Sequence, residues 1–288
     1  MPDIREQRQR QAKRHIGLMK NVYAAEIEAC AASAKVYEDG EGRELPVPEP
    51  QFEATTTAVT TDFAAKALYA TSGKAVIIDA GAFTRPGGNY EAGSFGPEQA
   101  LCADSALYPV LCALKKSYYD ANRGWECSQL FSDRALYLTD VMFSRNGTPR
   151  TADVVVIAAP NRKRALEGGR SPEFCDQVLG FRIEAMLRVA AQGGASTLIC
   201  GAFGCGPQGN PAAQVIGLIE AWLAAHPGVF ENVIFAVPRA SEATFAQAFG
   251  RMQREEKPAA VQEEPQPKDD DDDEDWRTIE LPEGVTLR

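Results

Sequence analysis

The chain has 288 residues, 44% hydrophobic and 24% charged, an ordinary composition for a soluble globular protein with a sizeable core. It contains no apolar run of 18 residues, and its polar, Arg-rich start (Met1 to Lys20) lacks a secretory core, which excludes a membrane span and points to the cytoplasm. Residues 255–288 carry 13 acidic and 4 basic side chains, nearly all of the net charge of −10, so the body lacks the basic excess of a duplex nucleic-acid binder.

Residues 4–36 place Ile16, Met19, Tyr23, Ile27 and Cys30 at helical spacing, which predicts one long helix or two shorter ones. A loop rich in Gly, Glu and Pro follows, from Glu38 to Pro50. Thr55 to Thr61 reads as a short strand, and Asp62 as the cap of a helix over Phe63 to Ala70. Ala75 to Asp79 is a continuous apolar run, the pattern of a strand covered on both faces. Glu98 to Asn122 has helical periodicity, Ala135 to Leu138 reads as a short strand and Asp153 to Ala158 as a strong one. Then come a helix over Pro172 to Gln192, a strand over Thr197 to Gly201 and a helix over Pro211 to Ala225, with Pro211 in its first turn. A strand over Val233 to Val237 and a helix from Ser241 to Arg254, capped by Ser241, close the series. This alternation implies a layered α/β fold with a parallel or mixed sheet. Beyond Arg254 the acidic run Asp269 to Asp275 and its Pro-rich surroundings cannot bury enough apolar surface to order themselves.

Two glycine-rich segments each follow a strand and precede a helix. One runs from Arg85 to Gln99, the other from Gly201 to Asn210. Ligands of open α/β sheets sit beyond the carboxyl ends of strands, where glycines let backbone N–H groups approach an anion. Together the two loops suit the halves of a diphosphate. Neither is a Walker A loop, because no Gly-Lys-Ser/Thr closes it, and neither is a good dinucleotide fingerprint.

At these residues the chain resembles the microbial poly(ADP-ribose) glycohydrolase family. The family's first loop reads Asn-Pro-Gly-Gly-Gly, followed by Gln-Glu-Glu and Ala-Leu-Cys; here Arg85-Pro-Gly-Gly-Asn89, Pro97-Glu-Gln99 and Ala100-Leu-Cys102 keep that spacing. The second loop reads Gly-Ala-Trp-Gly-Cys-Gly, two variable residues and Gly-Asn; here it is Gly201-Ala-Phe-Gly-Cys-Gly206, Pro207, Gln208 and Gly209-Asn210. Ser105 to Pro109, Ala158 to Asn161 and Val233 to Ala236 are further echoes, and the likeness runs from about Thr55 to Phe249.

The resemblance implies a three-layer macrodomain-like fold over residues 51–254, a mixed sheet flanked by helices, with an N-terminal helical extension (1–50) and a disordered acidic tail (255–288). It implies ADP-ribose, or an ADP-ribosylated protein, in a cleft lined by Gly87, Gly88, Asn89, Gly201, Phe203, Gly204, Cys205, Gly206, Gly209 and Asn210, with no cofactor. By position, Glu98 matches the glutamate that orients the ribose, and Gln99 the glutamate that protonates the leaving oxygen. A carboxamide has no comparably acidic proton, so cleavage is expected to be weak or lost. Asn89 for the third glycine, Pro97 for a glutamine, and Gln208 where relatives often carry an aromatic depart in the same direction.

Plainer readings compete. Glu98 also suits the first turn of any helix, Phe203 a core position, Tyr90 simple packing. Seven cysteines (Cys30, Cys102, Cys112, Cys127, Cys175, Cys200 and Cys205) without a CxxC pair read as free thiols, and with only His15 and His226 they do not compose a zinc site or a Cys–His nucleophile. Three functions therefore stay open: an ADP-ribose-binding module, a glycohydrolase using Glu98 or substrate assistance, and a scaffold that kept only the fold. The end of the tail, Asp275 to Leu281 with Trp276, suits a docking peptide for a basic partner or for the body of the chain itself.

Overall fold

The computed structural model describes residues 3–252. The first thirty residues form two helices, α1 (Ile4–Val22) and α2 (Ala24–Ser33), separated at Tyr23, whose non-helical backbone both ends one helix and starts the next. Next come a three-residue strand β1 (Lys35–Tyr37) and a single turn α3 (Glu41–Glu44), inside the segment expected to be helix and loop. β2 (Thr56–Thr60) and α4 (Ala64–Tyr69) follow. Asp62 does not cap α4, which begins behind Phe63 without a side-chain cap; its carboxylate pairs with Lys66 at 2.8 Å.

β3 (Ala75–Asp79) is buried along its whole length. The long helix expected from Glu98 breaks into α5 (Pro97–Ala103), α6 (Leu107–Ala113) and one wide turn at Lys115–Tyr119. β4 (Ala135–Arg145) and β5 (Thr148–Ile157) are longer than the sequence suggested, because they form a hairpin. Its two-residue loop is Asn146-Gly147, both with positive φ, the chemistry that a tight hairpin turn favours. The remaining elements are α7 (Arg162–Glu167), α8 (Pro172–Ala191, capped by Ser171), β6 (Thr197–Cys200), α9 (Ala212–Ala225), β7 (Asn232–Ala236) and α10 (Arg239–Phe249). Pro211 stands just before α9 rather than in its first turn. Ser241 lies inside α10, which starts behind Pro238, so it is no cap.

The seven strands form one mixed sheet in the order β1-β4-β5-β3-β6-β7-β2. β5, β3, β6, β7 and β2 run parallel, while β4 pairs antiparallel with β5 and β1 antiparallel with β4. Alternation along β3 assigns the layers: Val76 and Ile78 join Leu179, Ile183, Ile219 and Phe245 of α8, α9 and α10, whereas Ala75 and Ile77 join Ala12, Cys30, Leu68, Leu101 and Leu107 of α1, α2, α4, α5 and α6. Each fully buried Val, Leu, Ile or Phe among them stabilises by roughly 1.5–3 kcal/mol. The segment before residue 50 thus adds an edge strand and helical cover to the same sheet, and packing is continuous to Met252. The acidic tail expected at 255–288 lies outside the described residues.

Candidate active site

β3, β5 and β6 are parallel neighbours, so the segments after them leave the same sheet edge. The first, from Ala80 to Gly96, is tied down before it turns: Asn122 donates from Nδ2 to the carbonyl of Phe83 at 2.7 Å, and the Phe83 ring stacks on Phe131 with centroids 4.8 Å apart. Then Gly87, Gly88 and Asn89 take left-handed conformations in succession, with φ of 60°, 53° and 68°. A Cβ on Gly87 would sit 2.6 Å from Tyr108 Cδ2, so both backbone and space demand glycine there. Asn89 adopts the same region without a glycine, and its Oδ1 accepts a bond from the Arg85 guanidinium at 3.3 Å. Tyr90 is a packing residue: buried, edge-on to Tyr108, with its hydroxyl 3.2 Å from His15 Nδ1 of α1. Arg5 of α1 closes this side by donating to the Ala92 carbonyl.

The turn delivers the chain to α5, with Pro97 in its first turn, and places Glu98 and Gln99 back against the loop. Glu98 is 7% exposed; its Oε2 accepts from the Ala82 N–H at 3.1 Å and from Gln99 Nε2 at 3.4 Å. The Gln99 amide also donates to the carbonyls of Gly87 at 3.1 Å and Gly88 at 3.3 Å. Glu98 Oε1 has no hydrogen-bond partner among the described residues, and neither has Oδ2 of Asp79, at the end of β3. Burial pushes the Asp79 carboxyl up to about 7. It raises Glu98 well above the carboxylate range too, with the Asp79 charge adding to the rise and the Ala82 N–H opposing it. A buried carboxyl with an oxygen left unpartnered favours its neutral form.

The second loop turns at Gly204, φ 67°, where a Cβ would lie 2.4 Å from Asn210 Nδ2 and 3.1 Å from Ala159 Cβ. Asn210 is buried and donates to the carbonyls of Pro160 at 2.9 Å and Gly204 at 3.0 Å, joining this loop to the end of β5. Gly206 and Gly209 are exposed, Gly201 and Cys205 half-buried. Phe203 is 2% exposed and packs in the core, so its ring is not an open stacking platform. Burial pushes the thiols of Cys200 and Cys205 up to about 12 and 11, which keeps both protonated and unsuited to nucleophilic attack.

The structure therefore gathers Gly87, Gly88, Asn89, Glu98 and Gln99 into one contiguous cluster, and Gly201 to Asn210 into a second, on adjacent strands. Sequence reading missed Asp79, whose carboxylate at the end of an apolar strand was the available signal. It also missed Arg182, a buried guanidinium within α8. Fully buried and lowered to about 10 by desolvation, Arg182 donates to the carbonyls of Ala158, Leu130 and Phe131 and so anchors the β5 end. Among the described residues no group of three or more His, Cys, Asp or Glu is placed to hold a metal ion, and no helix is long and apolar enough to cross a membrane.

Residues 9–146 match the family model described as the microbial-type PARG, catalytic domain, PARG being poly(ADP-ribose) glycohydrolase. The structure is similar to the poly(ADP-ribose) glycohydrolase of Thermomonospora curvata, with 25% identity and a TM-score of 0.75, over 85% of this chain and 100% of that one. The same enzyme bound to the inhibitor ADP-HPD gives 26% identity and a TM-score of 0.73 over the same shares. The glycohydrolase of Deinococcus radiodurans in complex with ADP-ribose is 26% identical with a TM-score of 0.67, over 77% of this chain and 96% of that one. A comparison with curated proteins found no match.

Proposed function

From the likeness of this chain to the microbial-type poly(ADP-ribose) glycohydrolases, we propose that the sheet edge carrying the two glycine loops binds ADP-ribose, and that the protein cleaves ADP-ribosyl bonds weakly. Glu98 lies against the ribose next to the bond to be cut, and the left-handed turn at Gly87 to Asn89 and the Asn210-braced loop flank the diphosphate. The observation that carries the weak cleavage is the Gln99 amide. It occupies the acid's place with its N–H groups turned to the Gly87 and Gly88 carbonyls, and it has no proton acidic enough for a departing sugar oxygen. No cofactor takes part.

Calorimetric titration with ADP-ribose, using AMP and NAD as comparators, tests the reading. Affinity tighter than about 100 μM, roughly −5.5 kcal/mol, supports it. No detectable binding returns the chain to the scaffold reading and removes Glu98 from the site. We place the protein in the cytoplasm, where its seven free cysteines suit a reducing environment. We assign the acidic segment 255–288 to docking a basic partner, a role that deletion leaving partner capture unchanged would refute.

A further inference from the structure

Two carboxyls that pair with no cation among the described residues border Gly81 after β3. Asp79 closes β3 and is 2% exposed; Glu98 reaches back from α5. Asp79 Oδ2 and Glu98 Oε1 each lie 3.4 Å from the point a Cβ on Gly81 would occupy, a point the Val156 side chain already crowds to 2.7 Å, so glycine at 81 lets both carboxyls approach one tightly packed, apolar spot. Both atoms are buried and without a hydrogen-bond partner among the described residues. The two oxygens of Glu98 are unequal: Oε2 takes the N–H groups of Ala82 and Gln99, whereas Oε1, which with Asp79 Oδ2 borders Gly81, receives none among the described residues.

The other titratable groups around the pair are Cys102 on α5 and Tyr118 and Tyr119 in the wide turn after α6. Each is pushed up by burial and neutral at neutral pH. Beyond Tyr118 lie the guanidiniums of Arg134 and Arg182, engaged by Glu38 and Asn122 and by backbone carbonyls respectively. None of these neutralises the pair, and two like charges so placed do not both ionise readily.

We propose that Asp79 and Glu98 share a proton carried on Glu98 Oε1, and that this pair supplies the proton which the amide at position 99 cannot. The inference rests on ADP-ribose occupying the site as proposed above. Glu98 is then the catalytic residue, and Asp79 a positioning residue acting through it. As the bond between the anomeric carbon and the leaving oxygen breaks, Glu98 gives its proton to that oxygen. Water adds its oxygen to the anomeric carbon and returns a proton to Glu98, so the products are two free hydroxyls and the pair is restored.

The experiment has three arms on the full chain: calorimetric binding of ADP-ribose, release of ADP-ribose from poly(ADP-ribose) as a function of pH, and a ¹³C titration of the Asp and Glu side-chain carboxyls. Wild type should release ADP-ribose slowly with an alkaline limb, and Glu98→Gln should abolish release. Asp79→Asn removes the like charge that raises Glu98, so the limb and the Glu98 titration should both move down by about one pH unit or more. The downward move of the Glu98 titration in Asp79→Asn is a readout that needs no activity. Independent titration of both carboxyls in the ordinary range, release unaffected by Glu98→Gln, or no release from wild type with ADP-ribose bound would each overturn the inference. Failure to bind ADP-ribose would instead remove the functional reading beneath it.

Discussion

Gln99 Nε2 lies 3.1 Å from the carbonyl oxygen of Gly87, a hydrogen bond that only a donor at position 99 can make. A carboxylate there would face the Gly87 and Gly88 carbonyls and Glu98 Oε2, three acceptors, and would be stable only with its proton on. The loop geometry is therefore one that holds an acid protonated, and this chain fills it with an amide.

Gln99→Glu should accordingly gain hydrolysis. General acid catalysis is worth about 10²–10⁴-fold, and a rise in ADP-ribose release of about 10²-fold or more is expected at neutral pH. Unchanged release with intact ADP-ribose binding would mean that other parts of the reacting site are lost as well.

Gly87→Ala tests the first loop. The new Cβ meets Tyr108 at 2.6 Å, and the alanine must hold φ near 60°. Strain and clash together should cost about 2–4 kcal/mol in urea denaturation and weaken ADP-ribose binding. A variant as stable as wild type would show that the turn does not need its left-handed start.

Asn210→Ala removes the bond that ties the second loop to Pro160 after β5 and a second one that closes the loop on Gly204, leaving both carbonyls without that donor. The expected loss is about 1–3 kcal/mol in stability, with weakened ligand affinity. Retained affinity would place the ligand away from this loop.

Asp79 should make stability depend on pH. Its carboxyl titrates near 3.9 in the unfolded chain and at about 7 when folded, so the folded state binds the proton more tightly. Stability from this group is present below pH 4 and is lost as the pH rises through 7. Asp79→Asn removes that dependence. Its stability relative to wild type should rise by about 2–4 kcal/mol between pH 4 and pH 8, and a difference flat with pH would contradict the buried, unpaired state of the acid.

Much of the fold was legible because local patterns report burial. The apolar run of β3, the helical spacing over α8 and the strand-to-helix glycine loops each reflect chemistry within a few residues. The Asn146-Gly147 turn was equally local, and its signal for the β4–β5 hairpin went unread. Other features depended on distant partners: α5 and α6 separate where the chain must leave one helix direction for another, and β1 forms only because β4 offers it an edge.

The site divides the same way. The sequence by itself picked out the two loops, Glu98 and the amide at 99 as candidates, since motif spacing along the chain is enough to align them. Only the tertiary structure decided that Phe203 turns into the core, that Arg182 grips the end of β5, and that Asp79 and Glu98 both border Gly81 with no pairing cation among the described residues. The physical reason is desolvation: whether a carboxyl is an acid or an anion depends on what surrounds it in three dimensions, and those neighbours lie far apart along the chain.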